Sequence, residues 1–255
     1  MLTRLIKTLS GRKYVQRPSW CSVCGSRTSF LPLPKCYHEN ALRYGFAYFG
    51  QGEMASLETY TCSSCGASDR ERLYALWVDQ QIAKNQFPKN AHTIHFAPET
   101  ALSRRLKGLE YFDYKTADLS MDNVDYKIDM MAMPFDDESC DFFICSHVLE
   151  HVESDDEAIK ELYRITKLGG CGILMAPIIV GLEKTLEEPD DKDEARRWKL
   201  YGQNDHVRLY AHKDYVNKIR SHGFRIEEFG KDYFGENMFR SLGLKASSIL
   251  YVVNK

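Results

Sequence analysis

No apolar run in this sequence approaches the roughly 20 residues that a membrane-spanning helix requires, which excludes an integral helical membrane protein. The opening stretch MLTRLIKTLSGRK lacks the unbroken apolar core and small-residue cleavage site of a secretory signal, so a cytoplasmic location is expected. A large excess of either charge is missing as well: 34 basic and 36 acidic residues leave a net charge of −2. With 44% hydrophobic and 27% charged residues, the composition is that of a globular chain and not of a disordered one. The charge is nevertheless unevenly placed. Residues 1–90 hold 12 Lys and Arg against 6 Asp and Glu, and the remainder hold 22 against 30. A basic first third suits a phosphate-bearing partner, and it equally suits a small metal-binding module with no anionic partner.

Four of the eight cysteines form two matching pairs, Cys21-Ser-Val-Cys24-Gly25 and Cys62-Ser-Ser-Cys65-Gly66. Two intervening residues let one tight turn aim both sulfurs at the same ion, and the glycine frees the backbone to turn back beneath it. Cys21, Cys24, Cys62 and Cys65 together would give the closed tetrahedral thiolate shell of a structural Zn2+ ion. Disulfide pairing is the competing reading, disfavoured in a reducing compartment. The 37 residues between the pairs are long for a compact zinc site. Their alternating stretches Tyr44 to Phe49 and Leu57 to Thr61 read as short strands of a ribbon, with Cys36 and His38 as substitute ligands. Cys140, Cys145 and Cys171 lie in apolar surroundings and read as core residues.

Ser68-Asp69-Arg70-Glu71 is a capping box, followed by Leu73, Leu76, Trp77 and Ala83 at helical spacing up to Pro88. The leading residues Leu2, Leu5, Ile6 and Leu9 share one helical face that could lie on a membrane surface or dock on the protein itself. The expected division is a front module over 1–88 and a larger domain over 89–255.

From residue 91 strand and helix patterns alternate. Ala91 to Ala97, Phe112 to Ala117, Val124 to Ile128 and Asp141 to Ser146 read as strands, and Glu99 to Lys107 as a helix. Ser154-Asp155-Asp156-Glu157 caps a helix whose Ala158, Ile159, Leu162 and Ile165 share a face, with Gly169-Gly170 as its stop and Gly172 to Ala176 as the next strand. A helix over Ala211 to His222 and strands over Phe224 to Phe229 and Ser248 to Val253 complete the chain. Such alternation predicts an α/β fold, a Rossmann-like, mostly parallel seven-stranded sheet with helices on both faces, plus the small four-cysteine zinc ribbon.

One ordered set of residues resembles a family. It comprises Phe96-Ala97-Pro98-Glu99, Ala117-Asp118, Asp129 with Met133-Pro134-Phe135, Asp141 to Cys145, His147-Val148-Leu149-Glu150-His151-Val152 and Leu168-Gly169-Gly170. The set resembles the class I S-adenosylmethionine-dependent methyltransferases of the type 11 branch, closely over residues 91–177 and loosely to the C-terminus. The resemblance implies S-adenosylmethionine as cofactor. Asp118, 19 residues beyond Glu99, would bind the ribose hydroxyls, with Phe96, Ala97 and Leu119 beside it. Asp129 would accept from the adenine amino group, the Met130 amide would face the ring nitrogen, and Met130 and Met131 would contact the ring faces. Cys145, Ser146 and His147 would line the methionine end.

The first loop departs from the family pattern. Its glycines are replaced by Ala97-Pro98-Glu99-Thr100-Ala101, with His95 at a commonly acidic position. Either Glu99 takes over the methionine ammonium, or the pocket no longer binds cofactor; the other binding residues favour the first. His147 to His151 also spells H-x-x-E-H, the inverted zinc-peptidase pattern. That pattern needs one helix and a further ligand, whereas this segment leaves a buried strand, so Glu150 and His151 read as structural residues at a helix start.

The stretch 178–210 reads as a substrate-side cover. Seven carboxylates crowd residues 183–194 as a solvated loop, and Tyr201 to Tyr210 is dense in groups that bind or transfer protons. His206 and His147 are the candidate bases for an alcohol acceptor, since an imidazole titrates near neutrality. Tyr201, His206 and Arg208 are the candidate substrate contacts, Arg208 through its bidentate fork. The favoured reading is a methyltransferase for a small-molecule or glycan acceptor, by O- or N-methylation. An RNA methyltransferase whose ribbon holds nucleic acid is an alternative, weakened by the lack of Lys and Arg clusters interleaved with aromatics. A binding protein that has lost catalysis is the third.

Overall fold

The structure, a computed structural model, describes residues 19–255. The amphipathic stretch Leu2 to Leu9 lies outside the described residues.

Among the described residues, the front segment holds four short strands and two helices. β1 (Ser19–Cys21) pairs antiparallel with β2 (Ser26–Thr28), and β3 (Phe30–Leu31) with β4 (Thr61–Cys62). Between them runs α1 (Lys35–Tyr44), closed by Gly45 in the left-handed region. Tyr44 to Phe49 is therefore a helix end and turns, not a strand. Of Leu57 to Thr61, only Thr61 is in a strand. Alternation over five or six residues cannot separate a strand from a short helix end, which is where the expectation failed. α2 (Asp69–Ala83) starts at the predicted capping box: Ser68 Oγ accepts from the Glu71 amide, and Glu71 Oε2 accepts from the Ser68 amide at 2.6 Å.

The main sheet contains β5 (Ala91–Phe96), β6 (Phe112–Asp118), β7 (Tyr126–Lys127), β8 (Cys140–Ser146) and β9 (Thr166–Met175). α3 (Thr100–Lys107) follows β5, and α4 (Asp155–Ile165) follows β8. Residues 178–211 hold β10 (Ile178–Ile179), β11 (Leu186–Glu187), α5 (Glu194–Tyr201) and β12 (Arg208–Ala211), in which β12 lies between β10 and β11 as a separate small sheet. α6 (His212–Ser221), β13 (Arg225–Phe229) and β14 (Leu250–Asn254) close the chain. The seven-stranded order is β13-β14-β9-β8-β5-β6-β7. β14 is antiparallel to both neighbours, and every other pair is parallel. This is the predicted α/β class.

One expected boundary moves. α4 ends at Ile165, and β9 begins at Thr166, before Gly169-Gly170. The glycines serve a bend within the strand: Gly169 has φ +79°, and a Cβ on Gly170 would sit 3.0 Å from the Asp141 carbonyl oxygen. A glycine pair marks a backbone constraint without saying which element carries it.

The front segment and the sheet share one hydrophobic core, in which Cys21, Val23 and Cys62 join the strand residues. Trp77 of α2 packs its ring 6.0 Å from Phe142 of β8, and Phe87 lies 4.9 Å from Phe142. Each such ring removed from water contributes on the order of 2–3 kcal/mol. Arg72, fully buried, donates to the carbonyls of Leu242, Tyr60, Ala67 and Thr59 and stacks 3.8 Å from the Phe30 ring centroid. It ties the cysteine loops to the C-terminal segment. Glu53 accepts from Tyr251 at 2.7 Å, adding a second buried tie.

Candidate active site and metal centre

The four cysteines of the two pairs converge. Their sulfurs lie within 4.8 Å of one another, with Cys21 Sγ 3.7 Å from Cys65 Sγ. A tetrahedron with metal–sulfur bonds of about 2.3 Å has edges of roughly 3.8 Å, so the set fits a closed thiolate shell. Gly25 (φ +68°) and Gly66 (φ +81°) turn each loop beneath the cluster, and their amides donate to the Cys21 and Cys62 carbonyls. Burial pushes the Cys65 thiol up to about 11. Cys62 is buried too, but amides of Cys65 and Ser64 and the Thr28 hydroxyl bring it down to about 7. Cys36 and His38 sit exposed on α1, apart from the cluster.

The strand order reverses between β5 and its neighbours β8 and β6, and in open α/β sheets the carboxyl ends at such a point are where ligands bind. The chain leaves β5 through Ala97 (φ +46°) and β8 through His147 (φ +56°). Two adjacent non-glycine residues of left-handed conformation mark a strained, over-determined site. Ala97 keeps the ladder by donating to the Ala117 carbonyl, and His147 by donating to that of Met175.

Glu99 anchors the glycine-poor loop. One oxygen faces His95 Nε2 at 2.9 Å, and the other faces Arg70 Nε at 3.4 Å. Burial alone would raise its pKa, but the His95 hydrogen bond and the charges of His95 and Arg70 hold it down to about 2. The His95 ring bridges two groups, with Nε2 against Glu99 and Nδ1 2.8 Å from the Tyr114 hydroxyl. Arg70, on α2, is a residue the sequence reading passed over. Its carboxylate partner lies 29 positions on, beyond any local spacing signal.

The predicted cofactor residues lie at or just beyond these strand ends. Asp118 ends β6, and both amide bonds it accepts, from Ser120 and Met121, fall on Oδ1. Oδ2 is thus left without either of these backbone donors. Leu119 and Met121, 62% and 41% exposed, offer apolar surface beside it. Asp129 Oδ1 accepts from the Met131 amide at 2.9 Å; Met130 is buried and Met131 half-buried. Phe96 is buried at the end of β5. Ser146 Oγ lies 3.1 Å from the Tyr74 hydroxyl. Cys145 is wholly buried, and burial pushes its thiol far up, so its side chain meets no ligand. A pair of aspartates at strand ends, a charged pair in the loop and exposed apolar surface fit an adenosyl amino acid.

A cavity of about 370 Å³ lies between the front segment and the 178–210 stretch. Aromatic rings of Tyr37, Phe46, Tyr48, Phe49, Tyr60 and Tyr201 line it, with Arg70 and His147 where it meets the strand ends. α1 and α5 form one wall, held by Tyr44 stacked on Trp198 at 5.5 Å. Its polar end holds His147, Glu150, His151 and His206. Residues 147–153 are turns, and helix α4 starts only at Asp155. Glu150 and His151 therefore face the cavity instead of opening a helix. The H-x-x-E-H spacing was the signal, read as structural for want of a helix.

Glu150 is fully buried, with His147 Nδ1 3.1 Å and His151 and His206 Nε2 each 4.0 Å from Oε1. Burial opposes its charge, yet the three imidazoles hold it down to about 2. His206 is buried as well, and that burial lowers its pKa to about 4, so at neutral pH it is a weak proton acceptor.

Arg208 is corrected from substrate contact to framework. It is 1% exposed, donates to the carbonyls of Leu149, Val152 and Glu153 and pairs with Asp155 and Glu187. Its fork is spent holding the turn that carries Glu150 and His151.

A comparison with protein families matches residues 82–174 to the methyltransferase domain. No curated protein matches. Among solved structures, the [4+2]-cyclase SpnF is 14% identical, with a TM-score of 0.50 over 88% of this chain and 97% of that one. An S-adenosylmethionine-dependent methyltransferase from Archaeoglobus fulgidus is 12% identical, with a TM-score of 0.46 over 74% of this chain and 95% of that one. At such identities the likeness concerns the fold alone. Residues 82–174, which match the methyltransferase domain, carry β5, β6, β8 and the strained turns at Ala97 and His147.

Proposed function

We propose that this protein is an S-adenosylmethionine-dependent methyltransferase acting on a small-molecule or glycan-type acceptor at oxygen or nitrogen. When bound, S-adenosylmethionine supplies a methyl group already activated by its sulfonium. Asp118 Oδ2 would hold the ribose and Asp129 the adenine amino group. Glu99 and Arg70, of opposite charge, suit the ammonium and carboxylate of the methionine end.

The carrying observation is the aromatic-lined cavity of about 370 Å³ that meets the strand ends at His147 and Arg70. That volume suits a small ligand better than a polymer strand. His147 is the residue for the acceptor proton: Nδ1 faces the Glu150 carboxylate, and Nε2 has no protein partner. A carboxylate behind an imidazole fixes the ring with its far nitrogen free. The four-cysteine cluster would hold Zn2+ as a structural ion, and reduced cysteines suit the cytoplasm.

The cyclase of like fold shows why fold alone does not assign the chemistry. Incubation with methyl-tritiated S-adenosylmethionine and fractionated cell extract is the test. Label entering the small-molecule or glycan fraction, and much less with His147→Asn, is expected. Label confined to RNA, or absent from every fraction, would contradict the proposal.

A further inference from the structure

Glu150 is 0% exposed, and neither carboxylate oxygen accepts a hydrogen bond; His147 Nδ1 comes near without the alignment for one. His206 is 3% exposed, and neither of its ring nitrogens has a partner. A buried carboxylate beside a buried imidazole, neither with a hydrogen bond, leaves lone pairs that a group of open coordination between them would use.

The geometry fits such a group. One ligand atom each from Glu150, His151 and His206 falls within 4.8 Å of the others. Ligands sharing an ion at bond lengths of about 2.0–2.2 Å lie roughly 3–4.4 Å apart, so an inward shift of a few tenths of an ångström closes the set. His151 presents Nε2 to Glu150, while its Nδ1 lies 3.3 Å from Asp205 Oδ2. A carboxylate on the far nitrogen of a ligating histidine is the usual outer support of a metal site. Three protein ligands leave a position free, and all three residues line the cavity. Two imidazoles and one carboxylate suit a transition metal better than magnesium or calcium.

We infer that Glu150, His151 and His206 bind one divalent transition-metal ion, whose open position faces the cavity and takes a hydroxyl oxygen of the acceptor. The second half rests on the proposed methyl-transfer reading; the binding of the ion does not. An oxygen held by a divalent ion loses its proton more readily, which suits an alcohol acceptor with His147 close by.

The test uses the full chain with its cysteine cluster loaded with zinc and loosely held metal removed. Titration with Co2+, followed by calorimetry and visible absorption, should show one equivalent bound per chain without a thiolate charge-transfer band. Affinity should fall at least about tenfold in Glu150→Gln and in His206→Ala. Where His206→Ala fails to fold by circular dichroism, His206→Asn carries the same expectation. S-adenosylhomocysteine affinity, measured on the same samples, should stay within about twofold of wild type, because none of these residues is among the predicted cofactor residues. No uptake of Co2+, uptake only with thiolate bands, or equal affinity in the variants would overturn the site. A wild type that takes up Co2+ but no S-adenosylhomocysteine would contradict the methyltransferase reading and support the ion site on its own.

Discussion

The four-cysteine cluster closes on itself, whereas the Glu150–His151–His206 cluster opens on a cavity. The first lies among short paired strands with glycine turns beneath it, and its cysteines come from two local motifs. The second has strained backbone at His147, buried polar atoms without hydrogen bonds, and a member more than 50 residues away at His206. The contrast separates a group that holds the fold together from one whose cost to the fold calls for a role in binding. Unsatisfied buried polarity is tolerated where function uses it.

If that contrast is right, damage to the cysteine cluster should affect stability first. Cys62→Ser should release the metal and destabilise the protein by more than about 4 kcal/mol in urea unfolding, with metal content as the companion measurement. A metal-free variant melting like wild type would remove the structural role of the cluster.

Arg72 tests how far the cluster depends on its support. Arg72→Met leaves four carbonyls, those of Leu242, Tyr60, Ala67 and Thr59, without their donor. A loss of about 3–5 kcal/mol is expected in the same unfolding measurement, and zinc should be lost more readily to a chelator.

At the strand ends the expected effect is smaller and depends on pH. Glu99 has a folded pKa near 2 against an ordinary value of 4.5. A depressed carboxylate adds stability that is complete above its unfolded value and is lost as pH falls through the folded one. Stability should therefore decline between pH 4.5 and 2, by at most roughly 3 kcal/mol, and Glu99→Gln should flatten that part of the profile. An unchanged profile in the variant would place the acid sensitivity elsewhere.

Local patterns explain what could be read from the sequence. The cysteine pairs and the capping box at Ser68 are each signalled within a few residues, and the carboxylates ending β6 and following β7 by the motif order that carries the resemblance. The cavity is not, because its walls join Tyr37 and Tyr48 to Tyr201 and Leu209, and only the tertiary fold brings them together. Arg70 was missed for the same reason. Arg208 was misplaced because a guanidinium serves buried carbonyls as well as a bound anion, and sequence does not distinguish the two. The sequence pattern at Glu150 and His151 reads as a helix start, whereas the helix begins four residues beyond His151.

The central claim is that carboxylates at adjacent strand ends hold an adenosyl cofactor despite a first loop without glycine. Calorimetric titration of S-adenosylhomocysteine into wild type and Asp118→Ala tests it most directly, with circular dichroism confirming that both are folded. The account predicts one site per chain in wild type and at least about a tenfold loss of affinity in the variant, equivalent to roughly 1.4 kcal/mol. Equal affinity in the two proteins, or no binding to either, would contradict it.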